Sequence, residues 1–270
     1  MHNPRHSPLI IAHRGASAFA PENTLAAFER AIEEGADGLE FDVRIAKDGV
    51  PIVFHDATLR RIAQKRVSVT NFTAEELGKL DVGSWFNFKY PKKANTDFSR
   101  ETVPTLTKFL DFLGDFKGLL YLELKCKESE IATLVKNVTE IVKKSKLFPN
   151  IIIKSFKLEA VAQTNKLLPE VRTAALFAPE IMTLLKKQSH LIDKAKECKA
   201  DELSLHFSLA TQKLVESADR QGMPTLIWTA DHPVWVKRAS EIGLKAIITN
   251  NPARLLAKRH EFFNKTSILI

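Results

Sequence analysis

Short apolar runs of β character recur along the chain, most of them followed by a stretch whose apolar residues repeat at helical spacing. The runs cover Leu9–His13, Gly38–Val43, Leu119–Lys125, Ile151–Phe156, Val171–Phe177, Glu202–Phe207, Pro224–Thr229 and Ala246–Thr249. That alternation is the signature of a parallel sheet with crossover helices. A further run, Pro51–His55, follows the turn Lys47-Asp48-Gly49 and adds a hairpin to the second unit. If the hairpin and the weakly periodic segment Asp56–Arg100 elaborate that unit, eight strand-helix units remain, enough to close an α/β (β/α)8 TIM barrel. A doubly wound open sheet is the alternative, because counting does not prove closure. With no Gly/Ser- or Pro-rich linker, the 270 residues read as a single barrel domain over 1–270.

The helical stretches follow the same logic. Asn23 or Thr24 caps a helix that Gly35 ends, and Thr73–Leu80 forms a short capped helix inside the segment 56–100. Later helices are expected at Thr105–Leu113, Ser129–Lys144, Leu158–Leu167, Pro179–Ala195, Thr211–Gln221, Val234–Ile242 and Ala253–Lys258. The aromatic residues Trp85, Phe86, Phe88 and Tyr90 read mainly as an anchor for an insertion that folds over the strand ends.

Charge narrows the class of partner. Lysine and arginine outnumber the acids 40 to 32, a formal +8, but the basic residues are scattered along helices. A solvated surface that helps capture a small anionic substrate fits better than nucleic-acid binding. Lys143-Lys144 and Lys186-Lys187 read as solvated helix faces. Cys126 and Cys198 match no metal spacing and are expected as free thiols in a reducing compartment. The first apolar run leads straight into a strand with chemistry at its end, so it is not a removable signal, and no run reaches the roughly 20 residues of a membrane helix. A cytoplasmic protein with no stable membrane insertion is the expectation.

Chemistry concentrates between Ile10 and Asp56. His13 and His55 lie at the ends of two runs, and Glu40 and Asp42 alternate on one face of a third. Glu123 and Lys125 repeat that alternation in LYLELK. Gathering three buried carboxylates costs several kcal/mol, which a divalent cation offsets. Oxygen donors without a His/Cys cluster select a hard ion, one Mg²⁺ or Ca²⁺, with Mn²⁺ as a third candidate. An ordinary polar network pairing these acids with Arg14, Arg44 and Lys125 is the competing reading.

Two imidazoles beside such an ion suit phosphodiester cleavage. One takes a proton from the attacking oxygen and the other gives one to the leaving alcohol, while Arg14 and Lys125 share the phosphate charge. Trp228, at a strand end, offers an apolar wall to the substrate, with plain core packing as its alternative. His206 reads as structural or as support for the site, and His190 and His232 as helix-surface or capping residues.

The HRG at His13–Gly15, PENT at Pro21–Thr24, the strand Glu40-Phe41-Asp42, His55-Asp56 and ELK at Glu123–Lys125 together resemble the glycerophosphodiester phosphodiesterase family. Weaker echoes at Lys154-Ser155-Phe156, Trp228 and Ile248–Pro252 extend the resemblance over nearly the whole chain. It implies a (β/α)8 barrel that uses a divalent ion to hydrolyse glycerophosphodiesters to glycerol 3-phosphate and an alcohol. It also implies His13 and His55 as the acid/base pair, Glu40, Asp42 and Glu123 as metal ligands, and Arg14 and Lys125 as phosphate-side residues. The segment 56–100 corresponds to an insertion characteristic of the family. One departure is Asn250, where the family often carries an aspartate. Two other readings are a lysophospholipase D acting on lysophospholipids and a binder of glycerophosphodiesters without turnover.

Overall fold

The computed structural model describes residues 7–63, 66–183 and 189–267. β1 (Leu9–His13) and α1 (Leu25–Glu33) open the chain, followed by β2 (Gly38–Ile45) and the short β3 (Pro51–Val53). Three small helices, α2 (Arg60–Ala63), α3 (Ala74–Leu77) and α4 (Ser84–Lys89), precede α5 (Leu106–Leu113). The pairs β4 (Leu119–Leu124) with α6 (Ile131–Lys144), β5 (Ile151–Ser155) with α7 (Leu158–Leu167), and β6 (Arg172–Phe177) with α8 (Ser189–Glu197) continue the pattern. It ends with β7 (Glu202–His206), α9 (Gln212–Asp219), β8 (Thr225–Trp228), α10 (Val234–Ile242), β9 (Ala246–Thr249) and α11 (Pro252–Ser267).

Closure is explicit in the pairing. β1 lies parallel to β9 on one side and to β2 on the other, so the sheet is a ring of eight parallel strands and not the open alternative. β3 runs antiparallel to β2 outside that ring, as the hairpin turn requires. Alternation along the strands sorts the side chains into two layers. Leu39, Phe41, Val43, Leu120 and Leu122 face the helices, where the Phe41 and Phe28 rings stand 4.6 and 4.4 Å from the Phe109 ring. Ile11, Tyr121, Ile152, Leu226 and Ile248 fill the interior of the ring. Truncating one of the buried phenylalanines to alanine costs about 3–5 kcal/mol in such a setting.

Several boundaries differ from those the periodicity suggests. β3 stops at Val53 because the Asp42 N–H, which would complete the next rung of the ladder, donates to Asn23 Oδ1 at 3.3 Å, leaving only the bond from the Phe54 N–H to the Asp42 carbonyl. The helix expected over 179–195 is a 3-10 turn at Pro179–Thr183 and then α8, and Lys186-Lys187 lies outside the described residues. α11 runs well past Lys258. There the Arg259 guanidinium pairs with Asp37 and clamps the last helix to the loop before β2.

Candidate active site

The register of the ring sets the site. His13 stands beside Glu40, Asp42 beside Glu123, and Glu123 beside Lys154 on adjoining strands. These residues continue the inward-facing rows one step beyond the apolar floor, so the interior turns polar at the carboxyl end of the strands. Glu40 and Asp42 are essentially buried, and Glu123 nearly so.

Asp42 is clasped by the loop after β1. Arg14 Nε lies 3.0 Å from its Oδ2, and Asn23 Nδ2 donates to the same oxygen at 2.8 Å. Arg14 and Asn23 both adopt left-handed backbone, with φ of 55° and 59°, and the Asn23 N–H donates to the Arg14 carbonyl. Local strain of this kind persists only where surrounding contacts over-determine it, and here those contacts converge on one carboxylate. Gly15, at φ 82°, sits so close to α1 that a Cβ would fall 2.5 Å from the Ala27 carbonyl carbon. Burial alone would push Asp42 up, but Arg14, Lys125 and the His55 ring hold its carboxyl far below the usual range.

Ligand atoms of Glu40, Asp42 and Glu123 all lie within 4.8 Å of one another. Lys154 Nζ donates to Glu40 Oε1 at 2.8 Å, and Lys125 Nζ lies 2.5 Å from Glu123 Oε1 and 3.5 Å from Asp42 Oδ1. Even so, Asp42 Oδ1 and Glu123 Oε1 are buried and accept no well-directed hydrogen bond from any described residue. Burial raises Glu123 above an ordinary glutamate despite Lys125 and Lys154 beside it. Converging hard oxygens, two of them with spare lone pairs, fit a divalent cation. The competing polar-network reading is met in part, since Arg14 and Lys125 do pair with the acids. Arg44 does not, and spends its donors on the carbonyls of His55 and Lys125.

Each histidine is held through Nδ1. His13 Nδ1 lies 2.7 Å from Asn250 Oδ1, and its Nε2 stands 3.8 Å from Glu40 Oε2. Burial pushes the His13 imidazole below its ordinary value, against the Glu40 and Asn250 contacts that raise it. His55 Nδ1 lies 2.6 Å from Asp56 Oδ1, and the other Asp56 oxygen accepts from Arg61 Nε at 2.7 Å. Arg61 also reaches Glu22, which in turn accepts from Arg14 Nη1 at 2.7 Å. The segment after β3 is thus wired to both the His55 ring and the Arg14 guanidinium.

Trp228 sits at the rim. Its ring stands edge-on to Phe156 and to His206, each at 5.3 Å, and Lys125 Nζ lies 5.5 Å over the Phe156 ring. His206 caps a 3-10 turn by accepting from the Ser208 N–H, and His232 accepts from the Val234 N–H, so both do the structural work expected of them. Phe86 is buried with Phe98, Ala20 and Ala27, and Trp85 Nε1 donates to the Val82 carbonyl, which anchors the inserted segment. Lys154 and the acceptors behind the histidines went unassigned in the sequence. The lysine in IIIKSF, two residues after the inward Ile152, was the available signal.

Comparison with known proteins agrees with this geometry. A model of the glycerophosphoryl diester phosphodiesterase family matches residues 13–254. A glycerophosphodiester phosphodiesterase of Caldanaerobacter subterraneus subsp. tengcongensis is 32% identical over 248 residues, covering 92% of this chain and 96% of that one. One from Bacillus subtilis is 31% identical over 254 residues, covering 90% of this chain and 84% of its own length. Among solved structures, an Oleispira antarctica phosphodiesterase in complex with the product sn-glycerol-3-phosphate superposes with a TM-score of 0.81 at 26% identity, covering 93% of this chain and 96% of that one.

Proposed function

Since this chain belongs to the glycerophosphoryl diester phosphodiesterase family, we propose that it hydrolyses glycerophosphodiesters to sn-glycerol 3-phosphate and an alcohol by a metal-dependent, two-histidine reaction. The enzyme class is that of a glycerophosphodiester phosphodiesterase, a phosphoric diester hydrolase. One observation carries the finer reading. His13 stands beside Glu40 in the same buried carboxylate cluster as Asp42 and Glu123, and Arg14 lies on one Asp42 oxygen and Lys125 on the other.

His13 Nε2 takes a proton from the attacking oxygen, that of water or of the substrate's neighbouring hydroxyl, as the new P–O bond forms, and in the second case water then opens the cyclic phosphate. Burial favours the neutral ring that a base must be. His55 returns a proton to the alcohol oxygen as the old P–O bond breaks, and Asp56 aligns its ring through Nδ1. Glu40, Asp42 and Glu123 would hold one divalent ion, Mg²⁺ or Ca²⁺ with Mn²⁺ as a third candidate. Bound there, such an ion supplies Lewis-acid stabilisation of charge on a phosphate oxygen. Arg14 and Lys125 add fixed positive charge on the same side, and Trp228 with Phe156 walls the alcohol or glycerol portion. Release of glycerol 3-phosphate from glycerophosphocholine, lost with EDTA and recovered with Mg²⁺, Mn²⁺ or Ca²⁺, tests the reading. Ligand binding without turnover would replace it with that of a non-catalytic binder.

A second reading, lysophospholipase D activity, draws on Phe88 in the inserted segment, which is 91% exposed beside Tyr90. Assays on glycerophosphocholine and lysophosphatidylcholine side by side separate the two. The proposed compartment is the cytoplasm. Among the described residues no helix is long and apolar enough to cross a membrane.

A further inference from the structure

We infer that Asp231 selects the tautomer of His13, acting through the side-chain amide of Asn250, and is therefore a positioning residue of the reaction. The inference rests on the reading that His13 Nε2 accepts the proton of the attacking group.

Asp231 follows the end of β8, Asn250 directly follows β9, and His13 ends β1, so three neighbouring strands deliver the three side chains in a row. Asp231 Oδ1 accepts from the Asn250 N–H at 2.7 Å and from Thr249 Oγ1 at 2.8 Å. Its Oδ2 accepts from Asn250 Nδ2 at 2.8 Å. The main chain and the side chain of Asn250 are thus held by one carboxylate, and the Ala18 N–H donates to the Asn250 carbonyl on the far side.

The logic is one of donors and acceptors. A carboxylate can only accept, so the NH₂ end of the Asn250 amide must face Asp231. Its oxygen must then face the other way, where Ser17 Oγ donates to it at 2.9 Å and His13 Nδ1 meets it at 2.7 Å. That oxygen has no proton to give, so Nδ1 must carry the ring hydrogen. A neutral imidazole has one N–H, which leaves Nε2 bare and pointed at the site. Were the amide reversed, Nδ1 would become the acceptor and Nε2 would hold the proton it is meant to receive.

A near-isosteric change at a residue outside the reacting groups therefore tests the relay. In Asp231→Asn the new side-chain oxygen keeps the Thr249 and Asn250 N–H contacts, while its NH₂ opposes the NH₂ of Asn250 and turns that amide over. The expected result is a fall in kcat of roughly 10²-fold, the worth of a general base in the wrong tautomer. KM for glycerophosphocholine stays within about twofold, because no substrate contact is removed. Exchanging the two residues, Asp231→Asn with Asn250→Asp, restores an acceptor for Nδ1–H and a donor for that acceptor, and so recovers most of kcat. Histidine ¹⁵N shifts should show His13 protonated on Nδ1 in the wild type and in the exchanged pair, and on Nε2 in Asp231→Asn.

Wild-type kcat in Asp231→Asn, a persisting Nδ1–H tautomer there, or an exchanged pair no faster than the single variant overturns the inference. A wild-type protein that releases no glycerol 3-phosphate from glycerophosphocholine instead overturns the parent reading, and the ring spectra still decide the tautomer question.

Discussion

Lys154 Nζ and Glu40 Oε1 form an ion pair at 2.8 Å inside the ring, with side chains only 2% and 1% exposed. The Lys154 ammonium also lies 3.9 Å from Glu123 Oε2, so it serves two buried acids. Removing one partner of such a pair strands an uncompensated charge. Lys154→Met is expected to destabilise the fold by about 3–5 kcal/mol. Urea denaturation followed by circular dichroism measures it, and an unchanged midpoint would show that the pair contributes nothing.

His13→Ala and His55→Ala should each lower turnover of glycerophosphocholine by roughly 10²–10⁴-fold, with the far-ultraviolet spectrum and melting temperature close to wild type. Neither ring is part of the apolar interior, so the loss is chemical and not a matter of packing. Full activity in either variant removes that residue from the reaction.

Glu123 separates stability from activity. Its carboxyl is raised because burial outweighs Lys125 and Lys154, so in ion-free protein its negative charge is unfavourable at neutral pH. Glu123→Gln is therefore expected to melt at or above the wild-type temperature without divalent ion and to be nearly inactive. Mg²⁺ or Ca²⁺ should raise the melting temperature of the wild type by mass action, and that of Glu123→Gln much less. Equal shifts in both proteins, read by calorimetry, would place the ion elsewhere.

Acid should loosen the fold through Asp42 and Asp56. Burial works against ionisation at both, yet Arg14 and Lys125 at Asp42, and His55 with Arg61 at Asp56, hold each carboxyl below its ordinary value. A carboxyl depressed in the folded state contributes stability that is fully present above its unfolded pKa, about 3.9, and is lost as pH falls through the folded value. The share of stability due to these two carboxyls should be present in full above about pH 5 and fall steeply below about 4. Asp56→Asn should make that fall shallower, and an identical acid profile would assign it to other groups.

Much of this is legible in the sequence. Alternation put Glu40, Asp42 and Glu123 on one inward face because a strand leaves little choice, and the ring confirms it by seating Asp42 beside Glu123. Less legible was whatever depends on pairing across distant segments. Asn250 reaches His13 only because β9 closes against β1, a contact spanning 237 positions. Arg61 reaches Glu22 only because the chain after β3 folds back over the loop before α1. The end of β3 is hidden for a similar reason, since Pro51–His55 has uniform β character and the stop comes from a distant side chain, Asn23, which takes the Asp42 N–H.

The ring closes by pairing β1 with the first half of β2, and β3 pairs only with the end of β2 that projects beyond it. His55 therefore hangs from an appendage, while its counterpart His13 belongs to the cylinder itself. Lengthening, shortening or exchanging the stretch beyond β3 changes the architecture around His55 without reopening the vessel that holds His13. Under the proposed reaction, a descendant of this scaffold has one proton carrier cast in place and the other free to be re-fitted to bulkier molecules.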